Sequence, residues 1–313
     1  MTPQRETGGM LEIDGRELRV TNLAKVLYPD TGTTKADVLG YYLAVAPLIL
    51  EQVRDRPVTR KRWPDGVGAD PFIEKNLPRG TPDWVARVTL HHTGSRSGRG
   101  ERDLDYPLVD DRATVAWLAQ TGALELHAPQ WRVNRDTGSP LPPDRIVVDL
   151  DPGEPAGLTQ CAVVALDARD MLAAHGFEAT AVTSGSKGMH LYAAIPSTSR
   201  GRDLIDRAGS PAQYAHALAR ALEKHHPDLV VSSMSKDLRP GKVFVDWSQN
   251  NPAKTTLVPW SLRGGPHPTA ATPVTWQEVE TGDLSHRPLA DAMHAAARVP
   301  GLEARRPDAR DQR

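Results

Sequence analysis

The chain is short of cysteine, of net charge and of long apolar runs, and each shortage removes a class of protein. Cys161 is the single cysteine among 313 residues, so an internal disulfide and a multi-cysteine zinc site are excluded. Its apolar helical surroundings fit a plain core thiol. The formal net charge is −1, so the whole molecule cannot hold nucleic acid by bulk charge. No apolar run reaches the roughly 18 residues that a membrane-spanning helix needs. The opening Met1-Thr-Pro-Gln-Arg-Glu lacks the charged-then-apolar pattern of a secretory signal. A cytoplasmic location with no membrane partner is expected.

With 39% hydrophobic and 25% charged residues, the chain can build a real core or two lobes. Charge is uneven along it. Arg54, Arg56, Arg60, Lys61 and Arg62 cluster against Asp55 alone, and Lys236, Arg239, Lys242, Lys254 and Arg263 recur in a second stretch. Each could neutralise phosphates, the contacts that dominate affinity for DNA or RNA; a solvated face is the alternative.

Strands and helices alternate without an internal repeat. Leu11 to Val20, broken at Asp14-Gly15, reads as a β-hairpin, and Thr34 precedes a helical run through Val38, Tyr41, Tyr42, Val45 and Ile49. Residues 91–105 are polar and Gly-rich, as in a long hairpin tip or mobile loop. Asp111 to Ala123 reads as a helix and Arg145 to Leu150 as a buried strand. Leu158 to His175 reads as a helix closed by Gly176. Phe177 to Thr183 and His190 to Ile195 follow as strands, Pro211 to His225 as a helix and Lys242 to Trp247 as a strand. From about 145 to 250 this is β-α-β-β-α-β, the ferredoxin-like or RRM-like order.

Within that order the acids carry the chemistry. In Arg145-Ile-Val-Val-Asp149-Leu-Asp151-Pro-Gly-Glu154, strand alternation puts Asp149 and Asp151 on one face and Val148 and Leu150 in the core. The first and last strands of this topology are neighbours, so Asp246, in Val243-Phe-Val-Asp246-Trp247, is expected to face them. Clustered carboxylates are stable together when cations neutralise them, and hard oxygen ligands select magnesium or manganese. Two such ions would activate a hydroxyl and stabilise a leaving pyrophosphate. The competing reading of Asp151-Pro-Gly-Glu154 is a β-turn. Between two strands lies Thr183-Ser184-Gly185-Ser186-Lys187-Gly188-Met-His190. Its small residues would let backbone approach a triphosphate, with Lys187 and His190 as arms; a simple Ser/Gly hairpin is the alternative. The order is not that of a P-loop.

These three segments resemble the active-site motifs of the archaeo-eukaryotic primase superfamily and, more narrowly, the polymerase domain of bacterial DNA ligase D. The resemblance runs from Leu18 to about Trp276 and includes Thr21-Asn-Leu-Ala-Lys25-Val-Leu-Tyr-Pro, Gly32-Thr-Thr-Lys35, Thr59-Arg-Lys61-Arg62-Trp-Pro, Leu126-His127-Ala-Pro-Gln-Trp and Ser261-Leu-Arg263-Gly. It implies an α+β fold: an RRM-like catalytic core of the primase type over 127–300 and an N-terminal α/β module over 1–126 with DNA-binding segments. The charged stretch 301–313 is expected to be a disordered tail or linker. The Gly-rich stretch 91–105 looks longer than the family usually carries.

On matching positions, the resemblance implies that Asp149, Asp151 and Asp246 are catalytic and hold two divalent ions, manganese preferred or magnesium. It implies that Ser184, Lys187 and His190, with Lys61 and Arg263, hold an incoming nucleoside triphosphate, and that His127 lies near its sugar or base. Lys25 and Lys35 would grip a 5′-phosphate across a gap or break. Arg62, Phe72 and Arg239 would touch DNA. Arg239 would contact the primer strand or help synapse two ends, and Phe72 would stack on a template base or anchor its loop. The implied activity is template-directed addition of nucleotides, preferably ribonucleotides, to 3′ ends at breaks in non-homologous end joining. Ku and a ligase, fused or separate, would be partners, in a nucleoid-associated cytoplasmic setting. No ligase lysine motif or nuclease segment is visible, so a stand-alone polymerase or an excised domain is expected. Two other classes compete with this reading. A haloacid-dehalogenase-type phosphatase also uses Asp-x-Asp but wants Thr or Val where Gly153 stands. A non-catalytic module that only bridges DNA ends is opposed by the intact Asp149, Asp151, Asp246 and His190.

Overall fold

Residues 8–92, 101–196 and 200–300 are described by the computed structural model; the central part of the Gly-rich loop, 93–100, and the expected tail, 301–313, lie outside them. The first hairpin pairs Gly9–Ile13 with Arg16–Val20. It turns on Asp14 and Gly15, both at positive φ (52° and 73°), as a two-residue turn between right-twisted strands requires. Helix Lys35–Val53 starts at a reciprocal cap, in which Thr34 Oγ1 accepts from the Asp37 N–H and the Asp37 carboxylate accepts from the Thr34 N–H at 2.8 Å. At 19 residues and a mean hydropathy of 1.3 this helix is apolar enough to cross a membrane by length and composition. Instead Val38, Tyr41, Tyr42, Val45 and Ile49 are buried in a protein core.

That core joins distant parts of the chain. It packs Tyr28, Tyr41, Tyr42, Trp63, Trp117, Leu124 and Leu126 with Val258, Trp260, Leu262, Ala292 and Ala296, and each such large side chain contributes about 1.5–3 kcal/mol by burial. The buried tyrosine hydroxyls need acceptors. Tyr41 donates to the Trp260 carbonyl at 2.9 Å, Tyr42 to that of Leu124 at 2.5 Å and Tyr28 to that of Arg263 at 2.8 Å. A four-stranded sheet runs in the order Thr256–Leu257, Ala123–Ala128, Thr59–Arg62, Phe72–Glu74. A division at 126/127 therefore falls inside a strand, and two later stretches, Thr256 to Ala270 and Leu289 to Val299, return to pack with the N-terminal part, while Thr272–Val274 joins the catalytic sheet. Strands Arg87–His92 and Arg102–Pro107 pair as a hairpin around the Gly-rich segment.

The helix expected over Asp111 to Ala123 is shorter, Arg112–Gln120. Gly122 takes a left-handed φ of 77° hard against Pro64, and Ala123 already begins the next strand.

The second sheet carries the acids. Its six strands run in the order Val230–Val231, Val243–Val245, Arg145–Pro152, Met189–Ala194, Ala179–Thr183, Thr272–Val274. The β-α-β-β-α-β order is present, and the first and last core strands are neighbours. All pairs are antiparallel except Val230–Val231 with Val243–Val245. Helices Leu158–Ala174 and Pro211–His225 cover one face. Ile146, Val148 and Leu150 point into it beside Met189 and Leu191, whereas Val147 packs on the other face with Val182, Tyr192 and Leu257. Helix Leu158–Ala174 closes in a Schellman arrangement, with Phe177 N–H on the Leu172 carbonyl at 3.0 Å and Gly176 N–H on that of Ala173 at 2.9 Å. Phe177 is thereby taken from the strand in which it was expected. Cys161 is buried against the Leu150 carbonyl, and burial pushes its thiol up to about 12, as befits an inert core cysteine.

Candidate active site

Alternation along Arg145–Pro152 turns Asp149 and Asp151 toward the face that no helix covers. The neighbouring strand brings Asp246 opposite, its N–H donating to the Asp149 carbonyl at 2.8 Å. The expected strand Lys242 to Trp247 stops at Val245, because the Asp246 side chain caps the 3-10 turn Trp247–Asn250 and accepts the Ser248 N–H at 3.1 Å. Gln249 Nε2 donates to the other Asp246 oxygen at 3.0 Å, and Lys254 Nζ lies 3.8 Å from it. His190 Nε2 approaches Asp149 Oδ1 at 3.3 Å. Asp151 stays half-exposed, with Arg239 Nη1 at 3.8 Å. Its carboxyl is pushed upward by burial and by the charges of Asp149 and Asp246, against the pull of Arg239 and Lys187. Three carboxylates that repel one another, all with oxygen ligands, suit hard divalent cations.

The loop after Thr183 closes the cleft from the side. Ser184 Oγ accepts the N–H groups of Ser186 at 3.3 Å and Gly188 at 3.1 Å. Glycine is required at 188, where a Cβ would come within 1.9 Å of the Leu150 carbonyl oxygen. Lys187 is exposed at the mouth and paired with Glu154 at 2.9 Å, which raises the ammonium pKa. His127, Asp149, Asp151, Ser184, Lys187, His190, Asp246 and Arg263 all line one cleft of about 280 Å³.

Lys61 is linked to this cleft through a residue the sequence reading missed, Glu125. Its carboxylate is nearly buried, with 5% side-chain exposure, and accepts from His127 Nε2 at 3.0 Å. Lys61 Nζ and Arg263 Nε each lie 3.7 Å away, and the Gly264 N–H donates at 3.1 Å. Burial pushes the Glu125 carboxyl up, but His127, Arg263 and the Gly264 N–H outweigh it and hold it down at about 2. One acid thus orients three basic side chains. The available signal was strand periodicity: Glu125 shares a face with His127 and is in register with Lys61.

Comparison with known proteins places this geometry. Residues 34–301 match the family model described as LigD, primase-polymerase domain. The chain belongs to the LigD primase-polymerase family. It is 47% identical over 271 residues to the multifunctional non-homologous end joining DNA repair protein LigD of Mycobacterium tuberculosis, across 85% of this chain and 34% of that protein. To the bifunctional non-homologous end joining protein LigD of Bacillus subtilis it is 27% identical over 265 residues, across 85% of this chain and 40% of that protein. The chain therefore spans about a third of the M. tuberculosis relative. Among solved structures, the polymerase domain of M. tuberculosis ligase D in complex with DNA superposes with a TM-score of 0.80 at 44% identity, covering 90% of this chain and 94% of that one. The primase-like fold is shown by that match, and the phosphatase alternative falls with it.

Outside the cleft, this LigD-family chain sorts the remaining candidates into surface and scaffold. Lys35 is buried at the start of its helix, donating to the Thr21 carbonyl at 3.0 Å. Burial, then Lys25 and Arg62, pull its ammonium down to about 8. Lys25 is exposed and paired with Asp65 at 2.8 Å. Arg62 donates to the Thr121 carbonyl and to both Glu74 oxygens, each at 2.7 Å. Phe72, in register with Arg62, is 56% exposed, and Ile73, which sequence reasoning passed over, is 70% exposed. Arg239 Cζ lies over the Phe244 ring, 3.7 Å from its centre. Two members of the first basic cluster are scaffold and cannot neutralise phosphates. Arg56 is buried in a fork on Asp144 (2.6 and 2.8 Å), and Arg60 is fully buried 3.5 Å from Glu74. A charge run along a strand does not reveal which members point inward.

Proposed function

We propose that this chain is a template-directed nucleotidyltransferase that fills gaps and extends 3′ ends at DNA breaks in non-homologous end joining. The observation that carries the reading is the convergence of Asp149, Asp151 and Asp246 in a cleft whose wall is basic. Asp149, Asp151 and Asp246 would hold two divalent ions, manganese or magnesium. Bound there, the ions would acidify a primer 3′-hydroxyl and neutralise charge on the phosphates as pyrophosphate leaves.

The chain's own residues do the positioning. Ser184, Lys187 and His190 face the triphosphate together with Arg263 and Lys61, and the Glu125 carboxylate keeps Lys61, His127 and Arg263 in one orientation before the nucleotide arrives. His127 reaches the sugar or base. Lys25 and Lys35 form a site for a 5′-phosphate: a buried ammonium beside two further cations, Lys25 and Arg62, is relieved by an arriving dianion. Phe72 offers a stacking face to a template base, and Arg239 contacts the primer strand or the second end. Ribonucleotides are the preferred substrates, Ku and a ligase the partners, and the nucleoid within the cytoplasm the setting.

The test is extension of a primer on a gapped duplex with ribonucleotides and manganese, with and without a phosphate on the downstream 5′ end. Incorporation that is templated and stimulated by that phosphate supports the proposal. DNA binding without incorporation would make the chain an end-bridging module instead.

A further inference from the structure

On the helix-covered side of the catalytic sheet, away from the cleft, Asp167, His225 and His226 converge, and we propose that they form a second metal site, of the zinc class. Asp167 lies in the middle of helix Leu158–Ala174; His225 is the last residue of helix Pro211–His225 and His226 its C-cap. One carboxylate oxygen, Asp167 Oδ2, is 3.0 Å from His225 Nδ1 and hydrogen-bonded to His226 Nε2. The three ligand atoms all lie within 4.8 Å of one another, close enough for one ion with bonds of about 2.0–2.2 Å to reach each of them after small side-chain shifts.

The donor set decides the metal. Two neutral imidazoles and one carboxylate match a four-coordinate zinc with water in the fourth position, whereas magnesium and manganese favour the all-oxygen triad of the cleft. The two sites would therefore sort metals by ligand softness. The surroundings favour a cation, because His225 and His226 sit at a helix C-terminus, where the backbone dipoles leave partial negative charge. They also hold His226 still: its N–H bonds the Leu222 carbonyl at 2.9 Å, and its own carbonyl accepts from Leu229 at 3.1 Å and Val230 at 2.9 Å. An ion here would clip one core helix to the other, directly before the segment that leads through Val230–Val231 and Val243–Val245 to Asp246.

The test separates this site from the cleft. Zn2+ alone is titrated by calorimetry into the Asp149→Ala/Asp246→Ala chain, which no longer offers the carboxylate triad, and into the same chain carrying His225→Gln. His225 is 61% exposed, so its replacement leaves the packing intact; Asp167→Asn repeats the comparison from the other helix. The expected result is one equivalent of Zn2+ bound by the first chain and a more than tenfold loss of affinity, roughly the scale of a disturbed metal site, in the others. Zn2+ should raise the melting temperature of the first chain and leave those of the others unchanged. Equal Zn2+ binding with and without His225 and Asp167, or no binding by the first chain, would overturn the site.

Discussion

The backbone N–H of Asp246 donates to the carbonyl of Asp149 at 2.8 Å, just beyond the strand pairs Leu150 with Val245 and Asp151 with Phe244 that set the register in which the carboxylates of two distant segments meet. Side chains alternate along a strand, and a slip by one residue would send Asp149 to the helix-covered face. Asp246 then leaves the strand, because its carboxylate caps the turn that follows. On the proposed reading, metal affinity would depend on this strand register.

Gly188 offers a direct check on that coupling. Gly188→Ala places a Cβ within 1.9 Å of the Leu150 carbonyl oxygen, between the two acids of the first strand. The expected outcome is a loss of about 1–3 kcal/mol, the range for overpacking, measured by denaturant unfolding, together with loss of nucleotide incorporation. A variant as stable and active as the parent would show that the loop yields freely.

Glu125 should act by positioning. Glu125→Gln is expected to raise the nucleotide KM by roughly tenfold with kcat little changed, corresponding to about 1.5 kcal/mol of lost charge-assisted hydrogen bonding. It should also change acid stability. The folded-state carboxyl is held at about 2 against an ordinary 4.5, so its contribution, about 3 kcal/mol, is present above pH 4.5 and is lost as pH falls through 2. A pH series of unfolding should show that component in the parent and not in Glu125→Gln. Identical acid limbs would contradict the role.

Lys35, held at about 8 by burial, Lys25 and Arg62, is charged below that pH and neutral above it. The advantage of a 5′-phosphorylated gap over an unphosphorylated one should therefore be largest below pH 8 and fade as pH rises, when rates on the two substrates are compared across the range. Lys25→Ala/Lys35→Ala should remove the advantage and leave extension of an unphosphorylated substrate in place. Equal losses on both substrates would argue that these lysines serve the fold.

Legibility differed from element to element for physical reasons. The helix at Lys35–Val53 and the helices flanking the acid strand follow from local caps and periodicity, and the pairing of Asp149 with Asp246 follows from period-two alternation and the fixed strand order of the supersecondary unit. The N-terminal core escaped, because Thr256–Leu257 adds to the strand carrying His127 and Trp260 packs with Tyr41, pairings that no local signal announces. Glu125 looked like an ordinary strand residue until register set it against Lys61. Arg56 and Arg60 read as surface cations because a charge run carries no sign of burial. Asp167, His225 and His226 meet only when two helices cross.

Asp149, Asp151 and Asp246 are proposed to be the metal-binding catalytic set. The most direct measurement is single-nucleotide incorporation by the parent chain and by Asp149→Ala/Asp246→Ala on a 5′-phosphorylated gapped duplex with manganese, with DNA binding followed in parallel. The expected result is a fall of about three orders of magnitude, the several kcal/mol that metal-borne charge stabilisation supplies, with DNA affinity nearly unchanged. Incorporation that survives in the double variant would contradict the account.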